Sequence, residues 1–493
     1  MKNLVQPLLL FLLLAGGPLH HARAQGPTLD PAFALTSAVG NTLSTSPQID
    51  DMVLQPDGKL LLVGDFISIN NTAAVNICRL LPNGQVDPAF TAPVPDARVT
   101  CLALQADGKL LVGGRFTSVG GQPRNGLARL LPDGTLDLGF NSPFDPVPTF
   151  SSRVRQIVIQ PGFGILVRGT MVPNPSTIPG FIYLARLTEA TGALDATFQP
   201  SFSPRLATDV LVRPNGRLVF AGGPFLVSGL PCSVWGALPN GALDPAFTPL
   251  LGTDGAYGLV PDPATGNIYV ANGTPGAALG ATPVRLLPNG GPDPSFNAAM
   301  AFVTASFAGS ISSLAVQPNG RLLVGGYFPL ISNPNLPSDF AGSWRLLPSG
   351  ARDPSYQLAN GPGAGVSKVL VQSNGRLVFG GFFDTAGGFS LQCLARMLDP
   401  NVLSARAPGP ADENALTAWP VPAHDALHLR LPAGRPARQA QLLDALGRVV
   451  LRQALAPGQT NPALPTAGLP PGGYLLCVTY ASGPPAYRRV VLE

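Results

Sequence analysis

The sequence predicts an all-β chain: a seven-bladed β-propeller with four-stranded blades, followed by a small Ig-like β-sandwich. Three observations carry this. A D-x-x-F/Y phrase returns seven times, starting at Asp30, Asp87, Asp137, Asp195, Asp244, Asp293 and Asp353, with spacings of 49 to 60 residues. The 57 Gly and 55 Pro among 493 residues interrupt the chain too often for long helices. The repeating style then stops near residue 400, and about 75 residues of a different β-rich character follow an Ala/Pro-rich stretch.

In chain order, residues 1–24 read as a secretory signal: Lys2, the apolar run "LLLFLLLAGG", then the small-x-small site "ARA" at Ala22 to Ala24. That run is too short to span a bilayer, and no later segment reaches about 18 uninterrupted apolar residues, so no transmembrane segment is expected in the mature chain. The formal charge of +4 is not a nucleic-acid footprint, because residues 25–415 carry 22 basic against 24 acidic side chains. Five cysteines (Cys78, Cys101, Cys232, Cys393, Cys477) fall on no common repeat position and form no CxxC, which favours buried free thiols on strands.

Residues 25–400 hold the repeats. Each unit contains two apolar runs joined by a Pro-Asp/Asn-Gly type turn, as in "VLQPDGKLLLVGDF" (53–66), and a second turn, as in "RLLPNGQVDPAF" (79–90). Pro fixes φ, Asp or Asn tolerates the next position, and Gly supplies the left-handed residue of a tight hairpin. Two hairpins give four strands. The first strand ("MVLQ", "LALQ", "IVIQ") is apolar in succession, as expected of a strand covered on both faces. The units are out of phase with the chain: "LDPAF" (29–33) is a fourth strand without its first three, and the seventh unit ends at "LARMLDP" (394–400) without its fourth. The N-terminal strand is therefore expected to close the last blade, with Asp30 facing Arg396.

The recurring arginines Arg79, Arg129, Arg186, Arg285, Arg345 and Arg396 could form a polyanion-binding ring. Turn geometry instead places Arg79 opposite Asp87, Arg129 opposite Asp137, Arg285 opposite Asp293 and Arg345 opposite Asp353, which predicts cross-strand ion pairs. All four histidines (His20, His21, His424, His428) lie outside the repeats, so a His-based triad or His-ligated metal inside the ring is excluded. No DxDxDG loop occurs, and the turn aspartates are explained as turn formers, so neither metal nor cofactor is expected. Function is expected where the repeats disagree. Four and five residues before the end of the first strand, near the channel mouth, stand Asp50, Asp51, Arg155, Gln156, Asp209, Tyr257 and Lys368, a set suited to a polar ligand.

The unit "QPDGKLLLVGDF … RLLPNGQVDPAF" resembles the delta-sixty repeat of bacterial exported proteins, a likeness that covers residues 29–400 and implies a propeller. The fifth unit, "LVPDPATGNIYVANG" (259–273), departs most, and the family brings no catalytic residues with it. Beyond the linker at 401–415, residues 416–493 resemble the type A C-terminal sorting domain of the Bacteroidota type IX secretion system. The matching elements are Trp419-Pro420-Val421-Pro422 (Val where that family has Asn), a D-x-x-G-R hairpin at Asp444 to Arg448, L-x-x-G-x-Y at Leu469 to Tyr474, and a basic β-rich end at Arg488 to Glu493. The resemblance implies engagement of the type IX machinery through residues 416–493, passage through the outer membrane, removal of this domain and attachment at the cell surface.

These readings together describe an exported, cell-surface-anchored, non-catalytic binding or scaffold module for a polysaccharide or protein ligand. A secreted carbohydrate-active enzyme using Asp50, Asp51 or Asp209 as acid and base, and a purely structural envelope protein, remain as alternatives.

Overall fold

The computed structural model describes residues 27–33, 38–40, 47–145, 153–173, 181–227, 229–252, 255–272, 282–296, 310–329, 340–356, 362–363, 365–372, 374–386, 389–399, 416–419, 423–431, 436–443, 449–456, 459, 461–470, 472–481 and 486–492. The expected signal at 1–24, the linker at 401–415, Pro420 to Pro422 and the hairpin at Asp444 to Arg448 lie outside them. The chain divides into two compact units, Met1–Ala405 and Arg406–Glu493.

The first unit is built from antiparallel sheets strung along the chain. Sheet 1 comprises Gln48–Leu54, Leu60–Asp65 and Ile77–Leu80; sheet 2, Val99–Leu104, Leu110–Gly114 and Leu127–Leu130; sheet 3, Arg153–Gln160, Gly164–Met171 and Ile182–Leu187. Sheet 4 comprises Ala207–Val212, Leu218–Val227, Leu230–Ala237 and Leu250–Leu251; sheet 5, Ala256–Pro261, Ile268–Asn272 and Thr282–Leu286. Sheet 6 holds Ser310–Val316, Leu322–Pro329 and Phe340–Leu346, and sheet 7 holds Val366–Val371, Leu377–Gly381 and Leu394–Leu398. The first strand of each sheet touches the first strand of the next, and that of sheet 7 touches that of sheet 1, so these strands surround a channel. The described helix content of this unit is a single 3-10 turn, Pro204–Leu206.

Each gap between neighbouring sheets holds its own apolar cluster. Between sheets 1 and 2, for instance, Leu61, Val63, Leu102, Val112 and Phe116 pack together. The middle strand, not the first, is the one covered on both faces: Leu60 to Val63 are all buried, whereas Gln48–Leu54 is mostly half-buried because one side meets the channel. The aromatic of D-x-x-F/Y enters the gap toward the following sheet: Phe140 lies in the cluster shared by sheets 2 and 3, and Tyr356 in that of sheets 6 and 7.

The same phrase corrects the expected four-stranded sheets. In sheets 1, 2, 3, 5 and 6 the fourth segment makes one bridge, as between Leu80 and Val86, and no strand. The Asp87 carboxylate accepts from the Ala89 N–H at 3.0 Å and its carbonyl from the Phe90 N–H at 3.2 Å. This turn peels the chain off the sheet and swings the aromatic inward.

The expected arginine pairs are present. Arg79 Nε donates to Asp87 Oδ2 at 2.8 Å, and Arg129 to Asp137, Arg285 to Asp293 and Arg345 to Asp353 at 2.7 to 2.8 Å; Arg186 makes a further pair, not among those expected, with Asp195 at 2.7 Å. Each guanidinium also covers the ring of its own phrase, Arg79 lying 4.7 Å from the Phe90 centroid, and reaches into the next sheet, as Arg79 Nη1 does to the Pro132 carbonyl at 2.6 Å. Sheet 4 departs: Gly236 stands at the arginine position, and Arg217 pairs with Asp244 at 2.6 Å instead. The pairs other than Arg217–Asp244 are largely buried and multiply hydrogen-bonded, the condition under which losing one partner is costly.

The chain closes on itself as the phasing predicts. Thr28–Leu29 pairs with Leu394–Leu398, Arg396 Nε meets Asp30 Oδ2 at 2.8 Å, and Arg396 lies 4.3 Å from the Phe33 centroid. Phe33 is buried against Gly84 of sheet 1, whose φ of +89° serves its turn and whose missing Cβ would otherwise sit 3.1 Å from that ring.

The second unit contains two sheets, Thr417–Trp419 with Ala426–Arg430 and Ala463–Pro465, and Val449–Ala454 with Ala437–Leu443, Gly472–Tyr480 and Ala486–Leu492. Alternation is visible in Ala426–Arg430, where Leu427 and Leu429 are buried and His428 exposed. Leu427, Leu429, Leu442, Leu476 and Val490 share one core. Tyr474, from the L-x-x-G-x-Y element, is buried and donates its hydroxyl to the Pro470 carbonyl at 2.6 Å.

Candidate functional site

All seven first strands carry a β-bulge at the same place. In sheet 1 the register passes from Ile49 opposite Gly64 to Asp51 opposite Val63, leaving Asp50 as the extra residue. The same slip isolates Thr100, Arg155, Thr208, Tyr257, Ser312 and Ser367 in sheets 2 to 7. A bulge turns two consecutive side chains toward one side and bends the strand. Here it aims a pair of residues per sheet at the channel.

The bulge also explains the glycine that follows the middle strand's apolar run. A Cβ on Gly64, Gly169, Gly222, Gly326 or Gly381 would lie 2.0 to 2.1 Å from the carbonyl oxygen of Gln48, Arg153, Leu206, Ser310 or Gly365 across the ladder. Gly114 is held the same way, 2.3 Å from the Arg98 oxygen. The fifth repeat has Asn272 opposite Ala256 at this place.

A cavity of about 710 Å³ occupies the channel, and Asp50, Asp51, Arg155, Gln156, Asp209, Tyr257 and Lys368 all line it. The structure thus brings together every residue singled out from the sequence. It also distinguishes among them. Asp51 Oδ2 accepts from the Leu102 N–H at 3.2 Å, Gln156 Oε1 from Val210 N–H at 3.2 Å, Asp209 Oδ2 from Leu259 N–H at 2.6 Å and Ser313 Oγ from Val369 N–H at 3.1 Å. Each reaches from one sheet to the next. These polar side chains satisfy N–H groups that no strand pairs, so they stitch the ring from inside. Lys368 links sheet 7 back to sheet 1 with an ion pair to Asp51 at 2.8 Å, and Gln156 Nε2 donates to Asp209.

Asp50 is held by both Arg98 Nε and Nη2 at 2.5 Å, a bidentate pair. Burial nevertheless pushes its carboxyl above the ordinary value, with Arg98 opposing. Burial raises the Asp209 carboxyl as well, against the charge of Arg168 and the hydrogen bonds from Leu259 and Gln156. The charge of Asp51 raises the Lys368 ammonium above its usual range despite burial. Tyr257 remains 38% exposed, a ring face open to the channel.

Next to the cavity, at the end where the first strands begin, a second one of about 380 Å³ is lined by Gln48, Asp50, Arg98, Thr100, Arg115, Arg153, Arg155 and Arg168. Of its five arginines only Arg155 was singled out in the sequence. The others occupy three further repeat positions: Arg98 and Arg153 both stand two residues before the extra residue of the bulge in their sheets, Arg115 just after the second strand of sheet 2, and Arg168 within the middle strand of sheet 3. No single-repeat pattern could group them.

All five cysteines are free and buried, and burial pushes the Cys78 and Cys393 thiols up to about 12. Among the described residues no group of three or more His, Cys, Asp or Glu is placed to hold a metal ion. His428 stacks on Trp419 with ring centroids 6.0 Å apart.

Residues 55–90 and 105–140 match the family described as "Domain of unknown function (DUF5122) beta-propeller", and residues 417–493 match "Secretion system C-terminal sorting domain". The chain is thus a β-propeller protein with a type IX sorting domain. That domain implies interaction with the type IX machinery and secretion through the outer membrane to the cell surface; no described helix is long and apolar enough to cross a membrane. No curated protein matches the chain in sequence.

Among solved structures, the chain is similar to the extracellular domain of a B. thetaiotaomicron protein assigned to hybrid two component systems: 13% identity, 91% of this chain and 56% of that one, TM-score 0.42. It is similar also to PorZ, a surface component of the type-IX secretion system of Porphyromonas gingivalis (13% identity, 91% and 82%, TM-score 0.28). A fungal alcohol oxidase in complex with copper aligns at 14% identity over 94% of this chain and 100% of its own, TM-score 0.44. The chain spans about half the length of the first of these, and at such TM-scores no ligand or activity passes from any of them to it.

Proposed function

We propose that residues 25–400 form a seven-bladed propeller of delta-sixty-like repeats and that residues 416–493 form an Ig-like sandwich that directs export. The exported protein is a cell-surface binding module, and its ligand enters the channel. One observation carries this reading: the bulge recurs in every sheet, yet the two residues it presents are different each time, around a cavity of about 710 Å³. Several of these side chains stitch neighbouring sheets, but Arg155, Tyr257, Ser312 and Ser367 line the cavity without a side-chain hydrogen bond among the described residues. Hydroxyl, carboxylate, ammonium and aromatic groups together suit a glycan.

A second reading is glycoside cleavage, favoured by the raised Asp50 and Asp209 carboxyls. The bidentate hold of Arg98 on Asp50 and the N–H donors on Asp209 oppose it, because a general acid or base has to exchange its proton with substrate. The full exported chain is to be screened on a glycan array alongside a polysaccharide-degradation assay. Binding without degradation, weakened about tenfold or more by Tyr257→Ala, is expected. Degradation lost in Asp209→Asn would replace the binding module by the enzyme, and absence of any ligand would leave a scaffold.

A further inference from the structure

The five arginines at the channel mouth are not explained by the ring's own architecture. Arg98 is matched by Asp50, and Arg168 Nε donates to Gln156 Oε1 at 3.1 Å. Arg115, Arg153 and Arg155 have neither an ion-pair partner nor a side-chain hydrogen bond among the described residues, and the Nε of Arg153 is buried with no acceptor. Asp50 lines the pocket, Asp65 stands close to Arg98 and Asp209 acts on Arg168, so the local balance is five guanidinium groups against three carboxylates. Burial, then the charges of Arg155, Arg115 and Arg98, depress the Arg153 guanidinium, while burial depresses Arg168, with Asp209 opposing and Arg155 adding to it. Stacking cations this way is unfavourable in the empty protein and becomes favourable when a counter-charge arrives. A planar guanidinium matches an oxyanion with paired N–H donors.

Resting on the reading of the channel as a ligand site, we propose that this mouth binds the oxyanion of an acidic oligosaccharide whose remaining sugar units lie in the adjoining channel cavity. The two cavities share Asp50, Thr100, Arg155 and Arg168 in their walls, so one ligand spans both. On the channel side, Ser312, Ser313 and Ser367 offer hydroxyls and Tyr257 a ring face, the groups that recognise sugars rather than a bare ion. A volume of about 380 Å³ at the mouth has room for one charged sugar ring.

The test is calorimetric titration of the full chain with tetragalacturonate, a neutral tetrasaccharide and inorganic sulfate, at low and high salt. Tetragalacturonate is expected to bind, at least tenfold tighter than the neutral sugar, and to weaken with salt. Arg153→Gln should reduce its affinity tenfold or more while Tm stays level or rises, since the substitution relieves repulsion. Arg115→Gln, at an exposed position, repeats the measurement should Arg153→Gln fail to fold. Equal binding of neutral and acidic sugars would overturn the arginine site while leaving the channel a glycan site. Sulfate binding without tetragalacturonate, unchanged affinity in the variants, or no binding of either anion would overturn the proposal.

Discussion

Two rings of polar residues run round this molecule, and they are built on opposite rules. Along the third strands and the turns that follow them, away from the channel, the same three side chains recur in every sheet but the fourth: an arginine, the aspartate it pairs with and the aromatic it covers, as in Arg345, Asp353 and Tyr356. On the first strands, the bulge recurs and the side chains do not: Asp50 and Asp51, Thr100 and Cys101, Arg155 and Gln156, Thr208 and Asp209, Tyr257 and Gly258, Ser312 and Ser313, Ser367 and Lys368. Where every sheet must solve the same packing problem, the solution is copied. Where the backbone alone is copied and its side chains are released, the constraint is something other than the fold.

The comparison breaks most visibly at the closure. Deleting residues 27–33 removes Phe33 from its gap, about 2–3 kcal/mol for the ring alone, and strands buried Arg396 without Asp30, about 3–5 kcal/mol. Thermal unfolding should occur far below that of the intact chain, or the protein should aggregate through the opened edge. Tyr257→Ala in the channel should change stability by about 0.5 kcal/mol or less. Similar Tm losses for the two would erase the distinction between the rings.

How much of this was legible in the sequence follows from the same distinction. Asp30 facing Arg396 came from counting repeat phases, because a repeated local rule can be extrapolated across 366 residues of chain. The bulge was not legible: "QIDDMVL" gives no sign that Asp50 is an extra residue, since the slip shows only against Gly64 on the partner strand. That glycine was visible in "VGD" and "VGG", but its reason, the carbonyl 2.0 Å from where its Cβ would lie, required the register. The channel residues were found by asking where repeats disagree. Their division into ring-stitching groups such as Gln156 and open ones such as Tyr257 was not, because backbone N–H positions decide it. The arginine mouth escaped for another reason: a nearly neutral repeat region conceals a local excess assembled from four different repeat positions.

A smaller effect separates the shared backbone from the released side chains. Gly222→Ala places a Cβ 2.0 Å from the Leu206 carbonyl oxygen, so the bulge has to open, at about 1–3 kcal/mol. Gly258, a channel-facing residue of sheet 5, has only the Ala271 Cβ at 3.5 Å, ordinary contact. Gly258→Ala should therefore stay within about 0.5 kcal/mol. Urea unfolding of the two variants gives the answer, and equal costs would mean that the bulge is not the constraint on these glycines.

The smallest expected effect is a difference in the sign of pH dependence. Burial alone would raise the Asp353 carboxyl, but the Ser355 hydrogen bond and the charge of Arg345 outweigh it and hold the group below its ordinary value of 3.8. In that range the unfolded chain binds the proton more readily, so the contribution of Asp353 is present above pH 3.8 and is lost as pH falls through its folded value. Asp209 runs the other way. Its folded carboxyl is raised by burial, so the folded protein takes up the proton first, and stability contributed by this site increases as pH falls from neutral toward 3.8. Urea midpoints measured from pH 7 downward should show Asp209→Asn removing a rise on acidification, and Asp353→Asn removing a fall that begins only near the ordinary carboxylate range. If both substitutions removed a fall, the channel aspartate would be serving the ring as the outer one does, and the channel would lose its claim to be built under a different constraint.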